Sequence, residues 1–199
     1  MVPDPKRKII LASASPRRRE LLAGLGLDFV VDTGNTFEEA YDAATPAHEV
    51  PLLLSKGKSY GFHRPLEDGE LLITADTVVI AADAQGRTEV LGKPSGPDDA
   101  RRMLRELSGK THEVVTGVTL RDKERCTSFT DSTLVHFCRL EEGEIEYYIE
   151  KYKPFDKAGA YGIQEWIGYA AISGIEGSYF NVMGLPVHRL YKELKDFFK

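Results

Sequence analysis

Apolar positions change their spacing several times along this chain, and each change predicts an element. Ile9, Ile10, Leu11 and Ala12 form a short unbroken apolar run, which predicts a buried strand running into a serine-rich loop. Behind Pro16 the spacing becomes helical, with Leu21, Leu22 and Leu25 on one face and Gly26 as the stop. Residues 28–33 read as a second strand, and residues 47–62 as a helix left near Gly61. Residues 70–83 are a β-branched run, apolar on both faces and interrupted by Asp76 and Thr77; a turn follows at 84–87. An amphipathic helix is expected over 95–109, with Met103, Leu104 and Leu107 on one side. Residues 112–122 and 126–137 read as a β-ribbon about the charged turn at 122–125. Residues 140–152 suit a helix, 154–184 are glycine-rich and irregular, and 185–198 close the chain as an amphipathic helix.

Strands and helices alternate at first and a ribbon then intervenes. This order fits a mixed α/β sheet flanked by helices better than a uniform doubly wound one. There is no internal repeat and no linker long enough to separate domains, so residues 1–199 are read as a single domain, in one piece or in two lobes.

With 42% hydrophobic and 29% charged residues the chain reads as globular, and its net charge of -5 argues against a general nucleic-acid binder. An anion site must therefore be a local basic cluster. The polar start of the chain, Met1 to Arg7, resembles no secretory leader, and no apolar stretch approaches the roughly 20 residues of a membrane span. A cytoplasmic protein without a membrane partner is expected. Cys126 and Cys138, lacking a CxxC spacing, are expected to be buried small hydrophobes with reduced thiols. The phosphate-binding GxxxxGK loop, GxGxxG, HExxH and GxSxG are all absent, and the five histidines are scattered.

One stretch breaks a local rule. In "SASPRRR" Ser15 suits a helix N-cap and Pro16 the first helical position, yet Arg17, Arg18 and Arg19 crowd a first turn that already carries about half a positive charge. A bound polyphosphate resolves the conflict: Ser13 and Ser15 hydroxyls and free N–H groups donate, and an arginine clamps two oxygens. Asp76 is a second signal, because a carboxylate in a buried apolar run is costly unless it is paired or holds a cation. The alternative is a strand-end Asp capping a turn. Glu38 and Glu39, beside Asp76 in space, could complete a carboxylate site for Mg²⁺. Lys93 in "LGKP", with Lys56, Lys58 and Lys157, could offer ammonium groups to phosphate. Gln164 in "AGAYGIQE" carries a donor and an acceptor, which suits the carbonyl and N–H edge of uracil or thymine.

Together, "LASASPRRRELLAGLG", "ADTVV", "LGKP", "MLRELSGKTHEVVTGV", "DKAGAYGIQ" and "GSYFNVMGLP" resemble the Maf family of nucleoside triphosphate pyrophosphatases over nearly the whole chain. The resemblance implies hydrolysis of a nucleoside triphosphate to monophosphate and pyrophosphate with a divalent cation, Mg²⁺ or Mn²⁺. It implies a Maf/ITPase-like α/β fold in two lobes around a cleft, often as a homodimer. By position it makes Asp76 the proton acceptor and, with Glu38, the metal ligand. Lys93 joins these as a catalytic residue. Ser13, Ser15, Arg17, Arg18, Lys56, Thr77, Lys157 and Gln164 bind substrate or set specificity. "SPRR", "ADT" and "YGIQ" are similar to the branch acting on dTTP and UTP, and modified pyrimidine nucleotides; the sister branch acts on 7-methyl-GTP. A nucleotide-binding regulator of septum formation is a reading of another class.

Three departures stand out. "LLLSKGKSYGF" has Gly57 where the family usually has Ala, which leaves Lys56 and Lys58 both open as the phosphate contact. "NTFEEA" leaves Glu38 and Glu39 both open as the acidic ligand. "YGIQEW" places Glu165 and Trp166 where a glycine is common.

Overall fold

A computed structural model describes residues 7–83 and 85–199; the start of the chain and Ala84 of the expected 84–87 turn lie outside the described residues. Seven strands form one mixed sheet in the order β2-β1-β3-β5-β6-β7, with β4 paired to β3. The strands are β1 (Lys8–Leu11), β2 (Phe29–Val31), β3 (Glu70–Ala82), β4 (Thr88–Leu91), β5 (Thr111–Arg121), β6 (Cys126–Phe137) and β7 (Ile172–Glu176). The helices are α1 (Pro16–Ala23), α2 (Val50–Tyr60), α3 (Pro97–Leu107), α4 (Glu142–Tyr152), α5 (Trp166–Ala170), α6 (Tyr179–Met183) and α7 (Val187–Phe197). The expected mixed sheet flanked by helices is thus the observed class. The chain divides into two units: one holds the residues up to Asp76 with Thr116–Asp131 and Gly184–Lys199, the other Thr77–Val115 and Ser132–Met183.

In the first unit β1 runs parallel to β2 and to β3, with Ile9 beside Phe29 and Leu71, and Leu11 beside Val31 and Ile73. Ile10, Leu72, Phe62 and Leu66 make one buried cluster, extended by Ala12. Helix α2 lies close on the strands because Gly117 of β5 has no side chain; a Cβ there would fall 2.3 Å from the Pro51 carbonyl oxygen. A run of buried hydroxyls fixes the same contact. Thr74 Oγ1 donates to the Ser55 carbonyl at 2.7 Å, and the Ser55 and Thr119 hydroxyls meet at 2.9 Å. Helix α7 buries Val187, Leu190, Leu194 and Phe197, the stripe its spacing predicts.

In the second unit β3 pairs antiparallel with β4, Val79 facing Leu91, and β6 pairs antiparallel with β7, with an irregularity at His136/Phe137. Helix α3 buries Ala100, Met103, Leu104 and Leu107 and is tied to α4 by Arg101–Glu146 and Arg105–Glu142 ion pairs. A capping box of Glu141 and Glu144 starts α4.

Four expectations need correction. Asp76 and Thr77 do not interrupt their run; β3 is continuous through both, because its neighbours take the backbone hydrogen bonds whatever the side chains. Helix α1 stops at Ala23, a turn before Gly26, whose φ of +70° sits in the turn that follows. Residues 154–184 are not irregular throughout: they hold α5, β7 and α6, elements too short to leave a periodic signal. Strand β4, also short, had no expectation. Cys126 and Cys138 are exposed, one at the first residue of β6 and the other just past its end.

Candidate active site

The first turn of α1 carries the "SPRRR" stretch. Ser15 caps it: the Arg18 N–H donates to Ser15 Oγ at 3.4 Å. Ser13 Oγ accepts from the Ser15 N–H at 3.3 Å, so both serines face the helix start. Arg18 does not project into solvent. Its Nε donates to the Gly184 carbonyl at 2.8 Å and one terminal nitrogen donates to the Ala75 carbonyl at 2.9 Å and toward Ser13 Oγ. Arg18 therefore joins α1 to β3 at the residue before Asp76 and to the segment leading into α7. Burial lowers its pKa and nearby Arg17 adds to this, while Asp76 and Glu39 oppose it. Arg17 is half-buried and Arg19 exposed.

Asp76 is buried in mid-strand, 7% exposed, and Lys58 of α2 donates to its Oδ1 at 2.5 Å. The same ammonium lies 2.9 Å from Glu39 Oε1. Asp76, Lys58 and Glu39 thus form one acid–base–acid bridge. Lys56 and Glu38 are exposed. Of the two lysines and two glutamates left open by the sequence, the structure brings Lys58 and Glu39 to Asp76.

A glycine explains how Glu39 is held. A Cβ on Gly57 would lie 2.3 Å from the Phe37 ring, so that ring fills the notch left by the missing side chain. The loop is fastened further by Asn35 Nδ2 to the Lys58 carbonyl at 2.6 Å and by Thr36 N–H to the Gly61 carbonyl at 2.8 Å.

The remaining predicted residues belong to the second unit. Thr77 is half-buried on β3 and Lys93 is exposed in its turn. Gly159 N–H donates to the Gly92 carbonyl at 3.1 Å, joining the Lys93 turn to the glycine-rich loop. Lys157 is not a surface lysine: it is 7% exposed and ion-pairs with Asp156 at 2.8 Å and Glu165 at 3.1 Å. Gln164 Oε1 is enclosed and meets no hydrogen-bond donor among the described residues. An amide oxygen so placed is costly unless a ligand supplies the donor.

Among the described residues no cluster of three or more His, Cys, Asp or Glu side chains could hold a metal ion. Two carboxylates, Asp76 and Glu39, do converge on one positive charge. That donor set fits Mg²⁺, which takes one or two carboxylates and completes its shell with water and substrate phosphate oxygens.

The model of the Maf-like protein family matches residues 8–197. The chain belongs to the Maf family. Named Maf relatives are similar over almost their full length. A dTTP/UTP pyrophosphatase of Porphyromonas gingivalis is 52% identical over 194 residues, covering 96% of this chain and 95% of its own. One of Phocaeicola vulgatus is 53% identical over 190 residues, covering 96% of both. One of Cytophaga hutchinsonii is 48% identical over 190 residues, covering 96% of this chain and 84% of its own. Two further residues meet at this Maf protein's glycine-rich loop, Tyr148 of α4 and Glu165. Glu165 was visible only as a departure from the usual glycine. Tyr148 lies among the apolar positions of a helix and left no signal.

Proposed function

We propose that this chain is a dTTP/UTP pyrophosphatase, releasing the monophosphate and pyrophosphate. The observation that carries the pyrimidine reading is the enclosed Gln164 carbonyl without a donor. Uracil and thymine offer a ring N–H flanked by carbonyls; the Gln164 carbonyl takes the N–H and its NH₂ group gives to a carbonyl. The names of the relatives support the same branch over 7-methyl-GTP.

The geometry supports the following residue roles. Asp76 accepts the proton of the water that attacks the α-phosphorus; the bond from that phosphorus to the bridging oxygen breaks and pyrophosphate leaves with the bond electrons. Lys58 holds the Asp76 carboxylate in place and, with Arg17, sets positive charge beside the charge developing on the leaving group. Ser13 and Ser15 offer hydroxyls at the start of α1, Lys93 and Lys56 offer exposed ammonium groups, and Arg18 aligns α1 with the Asp76 strand. Mg²⁺ or Mn²⁺, held by Asp76 and Glu39 with Glu38 adjacent, would supply Lewis-acid stabilisation of the phosphate oxygens. Thr77 and Gln164 serve base selection. A homodimer in the cytoplasm, without nucleic-acid or membrane partners, completes the proposal; no described helix is long and apolar enough to cross a membrane.

The test is a panel of nucleoside triphosphates with Mg²⁺, scoring monophosphate and pyrophosphate. dTTP and UTP are expected at the top. Equal rates on purines and pyrimidines, or release of orthophosphate instead of pyrophosphate, would sink the reading.

A further inference from the structure

The Gln164 amide sits on a four-residue turn whose two ends are tied by one phenol. The Glu165 N–H donates to the Gly162 carbonyl at 3.0 Å, which leaves Ile163 and Gln164 at the turn's centre. Tyr148, fully buried on α4, accepts the Gly162 N–H at 3.0 Å through its hydroxyl oxygen and donates its proton to Glu165 Oε2. The other Glu165 oxygen holds the Lys157 ammonium at 3.1 Å. Burial first, and the Glu165 carboxylate second, raise the Tyr148 pKa above the ordinary tyrosine value, so the hydroxyl keeps the proton that this arrangement needs.

Gly162 is where these side chains meet. A Cβ there would stand 2.9 Å from Gln164 Nε2, 3.0 Å from Lys157 Cε and 3.1 Å from Glu165 Cδ. Gln164 is thus braced on its amide nitrogen side by the Gly162 backbone, with its carbonyl oxygen left as the unsatisfied group. Lys157 and Glu165, whose side chains are 9% and 18% exposed and hold each other, border the same spot beside Gly162. Burying and pairing those two charges is expensive to undo from one side only.

We propose that Tyr148 and Glu165 are positioning residues for base selection: together they lock the Gly162–Glu165 turn so that the Gln164 carbonyl stands ready for a ring N–H. The inference rests on the pyrimidine reading above and deepens it. Neither residue touches the base. Their contribution is to remove the cost of ordering Gln164 at the moment of binding, which raises affinity for a ring bearing the N–H and gives nothing to one that lacks it.

The test compares UTP with CTP, whose ring nitrogen at the corresponding position carries no hydrogen, using full-length enzyme and Mg²⁺. Tyr148→Phe and Glu165→Ala are expected to raise KM for UTP about tenfold with kcat changed less than threefold, while kcat/KM for CTP falls at most threefold. Glu165→Gln keeps an acceptor for Tyr148 and should hold the UTP-to-CTP ratio within threefold of the wild type. Equal losses on both nucleotides, losses in kcat alone, or no change would overturn the proposal. Hydrogen exchange read by mass spectrometry is the second arm: Tyr148→Phe, which removes one oxygen and keeps the ring, should speed exchange in residues 157–165 at least tenfold without altering α1 or β1. Unchanged exchange there overturns the lock whatever the kinetics. A wild-type enzyme that treats UTP and CTP alike counts against the uracil and thymine reading itself, and the lock is then decided by exchange alone.

Discussion

Around Asp76 one ammonium, that of Lys58, stands within 3 Å of two carboxylates, with Glu39 half exposed and Arg18 near enough to feel Asp76 and Glu39. Around Gly162 the charges are spent on each other: Lys157 and Glu165 are enclosed, and a tyrosine hydroxyl satisfies what remains. The first arrangement is one that substrate and solvent can still rearrange, and the second is finished before anything binds. The contrast matches two tasks. Moving a proton and neutralising a triphosphate requires groups that exchange partners during the reaction. Telling one ring edge from another requires a group that does not move.

The largest expected effect strikes the first region. Asp76→Asn keeps the size of the side chain and removes the proposed proton acceptor and proposed cation ligand, so turnover should fall by about 10³-fold or more. Pyrophosphate release and a thermal melt read the two halves of that statement; retained activity with an intact fold would dissolve the contrast.

Acid should reach the two units in different windows. His112, buried in the second unit against Tyr161 at 2.7 Å, is held neutral by burial, with a pKa pulled down to about 3. A histidine depressed from its ordinary 6.5 contributes stability that is full above pH 6.5 and lost as pH falls toward 3, up to about 5 kcal/mol. Glu70 in the first unit is held at about 2, chiefly by the Arg64 guanidinium, with help from the Glu67 N–H and Lys8. Its contribution of about 3 kcal/mol is full above 4.5 and is lost only between 4.5 and 2. Hydrogen exchange at stepped pH should therefore rise first around His112, already below pH 6, and around Glu70 only below 4.5. Simultaneous loosening would remove this distinction.

The smallest effect sharpens the choice within one helix. Lys58→Ala should lower kcat about 10²-fold by freeing Asp76 and Glu39 from their shared cation, whereas Lys56→Ala, exposed two residues earlier on another face of the helix, should stay within about threefold. Steady-state kinetics of the two variants decide it, and the reverse order would make Lys56 rather than Lys58 the lysine that governs turnover.

Legibility in the sequence followed the length and periodicity of each element. The long apolar run of β3 and the stripes of α3 and α7 were readable because each repeats its signal several times over. β4, β7, α5 and α6 were not: they are too short to express a period and, unlike the equally short β1 and β2, their apolar residues are interrupted by Glu89, Gly174, Gly168 and Asn181. Among the candidate site residues, Asp76, Arg17 and Gln164 stood out by chemistry out of keeping with their surroundings. Adjacent candidates did not separate: Glu38 and Glu39, like Lys56 and Lys58, differ in direction around a loop or helix, which only the fold decides. Arg18 looked like a phosphate clamp, yet the Gly184 and Ala75 carbonyls that hold it come from distant stretches of chain that no local spacing could reveal.

The ring of Phe37 seated in the notch of Gly57 makes two positions twenty residues apart into a single unit of change. A methyl group at 57 and an aromatic ring at 37 exclude each other. A mutational path from glycine to alanine at 57 must pass through a smaller residue at 37 or tolerate a loosened Glu39 on the way. Grafting this acidic loop onto another backbone would likewise carry the glycine with it, as a lock travels with its key.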